Sequence, residues 1–295
     1  MTTPPPTAPR LEVDGLEVAF GGLTALGGVS FEVRDGETVA LIGPNGAGKT
    51  TVFNAVCGIV KPRKGNVRIG GRPAPARTTG LLAAGVARTL QGLGLFERMT
   101  VLENVLVPLS SLRAEDAAAR ARDRLAELGL LDLADRSAGT LPYPERKRVA
   151  LARALAADPR LLLLDEPAGG LGAADIEALA ETVRRVAGEG CAVLLVEHHV
   201  DFVMDVADRI VVLDFGEVIA AGSPEEVRRD PAVEAAYLGL EAVNAAAEPP
   251  QSGGAGHPPA RGGAPRPSTA DISVATEAHA HRSEPQGPAG EGGTA

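Results

Sequence analysis

The sequence predicts an α/β fold built around a mostly parallel sheet, and three observations carry that prediction. Apolar runs of strand length, "TVALI" (38–42), "LLLL" (161–164), "AVLLV" (192–196) and "IVVL" (210–213), are near-continuous rather than alternating, as in strands covered on both faces. Helical patterns separate several of these runs, which makes parallel pairing the natural arrangement. A hydrophobic content of 44% over 295 residues is ample for a buried core.

Along the chain, residues 1–10, "MTTPPPTAPR", have no apolar stretch and are predicted disordered. The segments "LEVDGLEVAF" (11–20), "VSFEVRDG" (29–36) and "GNVRIGG" (65–71) alternate and are punctuated by glycine, so they predict antiparallel strands in a side layer. Residues 101–135 read as helical. Within "AEDAAARARDRLAELGL", Ala117, Ala121, Leu125 and Leu128 fall on one face and Gly129 suits a C-terminal cap. A helical subdomain is accordingly expected over about 92–160, inside a domain spanning 11–240.

The composition breaks near residue 240. From Ala245 onward only Ile272 and Val274 are large and apolar, so 241–295 cannot bury enough surface to offset its ordering entropy and reads as a disordered Pro/Gly/Ala-rich tail. His257, His279 and His281 in that tail are too loosely spaced to preorganise a metal site. A net charge of −9 and the lack of a basic stripe argue against nucleic acid as a partner. Cys57 and Cys191 lack metal-ligand spacing, which points to buried thiols in a reducing compartment rather than to zinc. No apolar run approaches a bilayer span, so the chain is expected to be neither secreted nor membrane-inserted by itself.

The strongest chemical signal is "GPNGAGKTT", residues 43–51, between the strand "TVALI" and the helical "TVFNAVCG". It fits G-x-x-x-x-G-K-[ST] through Gly43, Gly48, Lys49 and Thr50, with Pro44, Asn45, Gly46, Ala47 and Thr51 completing the loop. Glycines let successive backbone N–H groups point inward, the next helix presents its positive end, and Lys49 adds a mobile cation for the outer phosphates. Thr50 offers a hydroxyl to Mg2+. A nucleotide held this way needs a metal ligand and a means of activating water. "LLLLDEP" delivers Asp165 and Glu166 to the C-terminal end of a buried strand, where ligands gather in open α/β sheets. Asp165 is assigned to Mg2+ through water and Glu166 to the attacking water.

Together with "ARTLQ" (87–91), "LARAL" before "LLLLDEP", and a histidine after "LLVE" (194–197), these residues resemble the ATPase subunit of an ABC transporter over roughly 11–240. The stretches "ARTLQGLGLFERMTVLENVL" and "GSPEEVRRDPAVEAAYLG" are most similar to the branched-chain amino acid importer ATPases. The resemblance implies a P-loop NTPase fold of the ABC ATPase type, using ATP and Mg2+. By the same resemblance, Phe20 stacks on adenine, Gln91 reaches the metal and touches the membrane partner, and His198 contacts the γ-phosphate. The residues alone leave a core phenylalanine, a surface glutamine and a strand-end histidine open, and His199 follows immediately, so either imidazole could face the site, with the motif frame favouring His198.

The resemblance also makes "LPYPERKRVALARAL" (141–155) the signature loop and helix, which face ATP on the partner subunit. Where the family has L-S-G-G-Q, or tyrosine at the first glycine in importers of this type, this chain has Leu141, Pro142, Tyr143, Pro144 and Glu145. Pro142 removes a hydroxyl, Pro144 removes an N–H donor, and Glu145 brings negative charge towards phosphate. The helix end and the cations Arg146, Lys147 and Arg148 still favour an anion. A second departure puts Gly172 where the family carries Asp or Asn, with Asp175 three residues too late to replace it.

These features imply an asymmetric ATPase pair, a heterodimer in preference to a homodimer. The implied partners are that second ATPase, two transmembrane permeases and, indirectly, an extracytoplasmic solute-binding protein, with the chain peripheral on the cytoplasmic face of the cell membrane. Residues 92–110, with Phe96 as an apolar anchor, are the expected docking surface. The competing readings are an ABC ATPase for lipid or lipopolysaccharide export and a soluble ABC ATPase switch. A switch usually carries two cassettes or a long coiled coil, and this chain has one P-loop and no heptad run.

Overall fold

A computed structural model of the chain describes residues 8–90, 92–111 and 113–236. Gln91, most of the N-terminal segment and the tail therefore lie outside the described residues.

Among the described residues, ten strands form two sheets. The smaller is antiparallel, in the order β2-β1-β4-β5, from β1 (Leu11–Phe20), β2 (Leu23–Val33), β4 (Lys64–Ile69) and β5 (Arg72–Pro73). Arg10 anchors its start, donating to Asp35 from Nε at 2.6 Å and from Nη2 at 2.8 Å. The larger sheet has six strands in the order β10-β9-β3-β8-β7-β6. Its members are β3 (Thr38–Ile42), β6 (Val86–Arg88), β7 (Leu161–Asp165), β8 (Ala192–Val196), β9 (Arg209–Asp214) and β10 (Glu217–Gly222). All pair in parallel except β10, which returns antiparallel to β9.

The apolar runs are continuous because each strand buries both faces. Val39, Leu41, Leu163, Leu194 and Val211 point into one core with Phe53, Val56 and the inner face of the antiparallel sheet. Ala40, Ile42, Leu162, Leu164, Val193 and Val212 point into the other, towards the helices. The helices are α1 (Lys49–Val56), α2 (Val101–Leu106), α3 (Ala114–Glu127), α4 (Tyr143–Leu155), α5 (Ala173–Gly188), α6 (Val200–Val206) and α7 (Pro224–Arg228). In α3 the buried side chains are Ala117, Ala121 and Leu125, and Gly129 just beyond it adopts φ 65°, the left-handed geometry of a helix stop. A capping box of Thr100 and Glu103 starts α2, and fully buried Asn104 folds the preceding loop by bonding Phe96 N–H and Phe96 O at 2.9 and 3.0 Å.

Cys57 and Cys191 are both buried and unpaired. Burial raises both thiols, Cys191 to about 11, so each is protonated at neutral pH. Iodoacetamide at pH 7 should label neither in the folded protein and both after denaturation, read by mass spectrometry. Labelling of the folded chain at either position would contradict this packing.

Candidate nucleotide site

β3 lies between β8 and β9, so the loop leaving its C-terminal end opens beside the ends of both neighbours. That loop is the 43–51 segment. Gly43, at φ 145°, leaves no room for a side chain: a Cβ there would sit 2.0 Å from Leu213 O. Gly48, at φ 104°, would bring one within 2.9 Å of Ala25 O. The loop is also tied to the β9–β10 turn by Gly216 N–H donating to Ala47 O at 3.0 Å, and it closes on itself through Ala47 N–H to Pro44 O at 3.2 Å.

Lys49, the first residue of α1, donates through Nζ to Gly43 O at 2.6 Å and Pro44 O at 2.8 Å. Burial lowers its pKa and the Glu166 charge opposes that shift, so a phosphate arriving here meets a cation already stripped of part of its water. Asn45, Gly46 and Thr50 are exposed at the mouth of the loop, with Thr51 partly covered. Phe20 ends β1 at 54% exposure, available for stacking and not part of the core.

Asp165 ends β7, and its N–H donates to Thr89 Oγ1 at 3.3 Å. Burial first, then the neighbouring Glu166, pushes its carboxyl above the usual range, while Arg88 pulls it back. Two acids crowded at one strand end fit a divalent cation. Among the described residues no three His, Cys, Asp or Glu side chains converge as a cage. The Thr50 hydroxyl and the Asp165 carboxyl are oxygen donors of the kind Mg2+ takes. Glu166 has φ 48°, unusual for a residue with a side chain, and its N–H donates to Val196 O at 2.8 Å.

The two histidines separate cleanly. His198 Nδ1 lies 3.9 Å from Glu166 Oε1, whereas His199 Nδ1 caps α6 by accepting Phe202 N–H at 3.4 Å. Sequence reasoning missed Glu197, which is fully buried with Oε2 3.7 Å from His198 Nδ1. Its signal was the single acid closing an otherwise apolar strand.

The 141–145 segment turns into α4. Leu141 is buried, Pro142 occupies the N-cap without a side-chain bond, and Pro144 falls in the first turn. Tyr143 is 44% exposed, with its ring beneath Lys147 Nζ at 5.4 Å from the centroid. Arg146 pairs with Glu97 at 2.6 Å, Lys147 bonds backbone carbonyls of its own chain, and Arg148 lies 3.9 Å from Glu145. Gly172 caps α5 with no side-chain bond, and Asp175 sits in that helix's first turn. Phe96, at 51% exposure, stands out from the loop that Asn104 folds. Gln91 falls outside the described residues.

Residues 26–169 match the family model described as ABC transporter, and residues 217–243 match that of the branched-chain amino acid ATP-binding cassette transporter. The chain is 40% identical over 250 residues to the high-affinity branched-chain amino acid transport ATP-binding protein BraF of Pseudomonas aeruginosa, covering 78% of this chain and 98% of that protein. The chain belongs to the ABC transporter ATPases. LivG of Escherichia coli K12, named for the same transport, is 38% identical to this ABC ATPase over the same shares of each chain. The ADP conformation of MJ1267, an ATP-binding cassette of an ABC transporter, matches the structure with a TM-score of 0.72 at 31% identity, covering 79% of this chain and 100% of that one. The dimeric post-hydrolysis state of the cassette MJ0796 bound to ADP and Pi gives 0.66 at 26% identity, over 72% and 98%.

The fold is thus that of a P-loop ABC ATPase, as the sequence predicts. Enzymes of this family bind ATP and ADP, hydrolyse ATP, and work as dimers with membrane permeases. Among the described residues no helix of this ABC ATPase is long and apolar enough to cross a membrane.

Proposed function

We propose that this ABC ATPase powers import of branched-chain or related apolar amino acids from the cytoplasmic face of the cell membrane. It acts there with a second, non-identical ATPase subunit, two permeases and an extracytoplasmic binding protein. The observation that carries the solute class is 40% identity over 98% of a relative named for that transport. The match of residues 217–243 to the branched-chain family supports it and weighs against the export and soluble-switch readings.

In this reading Lys49 exchanges its two carbonyl partners for phosphate oxygens while N–H groups of the 43–51 loop hold the β- and γ-phosphates. Phe20 stacks on adenine, and Gln91 joins the metal site to the permease contact. Thr50, and Asp165 through water, would hold Mg2+, which would supply positive charge against the phosphates. Glu166 accepts a proton from the attacking water, and His198 donates to the γ-phosphate. Leu141, Pro142, Tyr143, Pro144 and Glu145 face the ATP of the partner subunit with too few donors, so the two sites of the pair are unequal and this chain's own site carries most turnover.

The test is copurification with the permeases, reconstitution into proteoliposomes with the binding protein, and a solute screen. ATP-dependent uptake of leucine, isoleucine or valine, absent in the Lys49→Ala variant, is the expected result. ATPase activity stimulated by lipid, with no uptake of any amino acid, would transfer the assignment to export.

A further inference from the structure

Glu197 follows β8 directly, is fully buried, and has no place in the reaction as described above. A carboxyl group shut away from water is costly unless hydrogen-bond partners surround it. Backbone supplies them here. Oε1 accepts the Ala168 N–H at 2.7 Å, and Oε2 accepts those of His198 at 2.8 Å and His199 at 3.0 Å. One side chain therefore joins the turn after β7 to the histidine loop after β8.

Lys147 holds the same turn from the opposite side. Its Nζ donates to Glu166 O at 3.0 Å and to Pro167 O at 2.7 Å. Burial lowers the Lys147 pKa, while the charges of Glu197 and then Glu166 raise it. Residues 166–168 are thus gripped by an ammonium on two carbonyls and a carboxylate on the next amide. The gripped residue that matters is Glu166, whose φ of 48° persists only where its surroundings over-determine it. Lys147 also sits one helical turn beyond Tyr143, its ammonium over the exposed ring that the partner subunit would meet.

We propose that Lys147 and Glu197 are positioning residues: together they clamp the 166–168 turn, and Lys147 carries displacement of the partner-facing end of α4 to the base of this chain's own ATP site. The clamp rests on Glu166 being that base. A cation that only stabilised α4 would not need to touch the turn, and a carboxylate that only filled space would not bond both loops. Sealing the other ATP site against Tyr143 therefore sets the aim of Glu166 in this one.

The experiment uses the full chain in the assembled transporter and measures kcat and KM for ATP in Lys147→Met, Lys147→Arg, Glu197→Gln and Glu166→Gln. Misplacing a reacting group by about 1 Å costs up to about 100-fold. Lys147→Met and Glu197→Gln should therefore lower kcat at least ~10-fold with KM within ~3-fold, and Lys147→Arg, which keeps a donor, should stay within ~3-fold of the unmodified protein in both. Unchanged kcat in a folded Lys147→Met variant overturns the clamp, as does a loss in Lys147→Arg equal to that in Lys147→Met, or a rise in KM alone. If Glu197→Gln does not accumulate folded, the two Lys147 variants decide. Full activity in Glu166→Gln would remove the base and the clamp together, whereas an inactive Glu166→Gln beside an active Lys147→Met removes only the clamp.

Discussion

Glu166→Gln will lower ATP turnover by about 10²- to 10⁴-fold, the usual worth of a general base, and leave nucleotide bound. The substitution preserves shape. The backbone bond from residue 166 N–H to Val196 O, 2.8 Å long, does not involve the side chain, so the turn keeps its course. An amide cannot take the proton of the attacking water, and that is the change that matters. The phosphate loop is untouched, with Lys49 still beside Gly43 O and Pro44 O, so ATP affinity should hold. Asp165 should respond as well. After burial, Glu166 is the charge that most raises its pKa, and removing it lets Asp165 ionise more readily. Phosphate release and nucleotide retention, measured together in the assembled transporter, check both halves. Turnover within tenfold of the unmodified protein would remove Glu166 from its role.

Restoring the signature loop in that inactive background should bring hydrolysis back. With Glu166→Gln silencing this chain's own site, remaining turnover comes from the partner's site, which depends on donors this chain lends. Pro144 lies in the first turn of α4, where an N–H would otherwise point outward, and Pro142 offers no hydroxyl. The cations that could compensate are engaged elsewhere, Arg146 with Glu97 at 2.6 Å and Lys147 with the carbonyls of Glu166 and Pro167. One preorganised donor to developing charge is worth about 10²- to 10³-fold in rate. Pro142→Ser with Pro144→Gly on the Glu166→Gln background should therefore raise turnover at least ~10-fold over Glu166→Gln alone. Each loss of proline rigidity costs about 0.4–1 kcal/mol, too little for the pair to unfold the domain. No rise would show that the two ATP sites are not made unequal by these prolines.

The central strands were legible because they satisfy one condition: β3, β7 and β8 bury both faces, so burial prints directly as an apolar run. β6 was not legible. It has three residues, Val86–Arg88, and is held at the sheet edge by its register with Leu161, Leu162 and Leu163, which no local pattern announces. The phosphate loop could be read because spacing alone defines it, and the altered signature could be read as a departure from such spacing. The work of Lys147 and Glu197 could not be. Each bonds to backbone groups brought close only by tertiary packing, Lys147 to carbonyls 19 and 20 positions away and Glu197 to an amide 29 positions away. The same holds for the two histidines, whose roles divide only once α6 has claimed His199 for its cap.

The seat of Gly43 against Leu213 O and the bond from Gly216 to Ala47 join the phosphate loop to a hairpin made about 170 residues later, and β3 is flanked by β8 and β9, which also come late. During synthesis the loop therefore emerges early but lacks its contacts with the β9–β10 hairpin until that strand pair leaves the ribosome. The chain passes through most of its synthesis with both edges of the strand "TVALI" unpaired, because β8 and β9 are made late. The full set of contacts that holds the phosphate loop thus arrives together with the completed sheet, which ties the shape of the site to the last strands made.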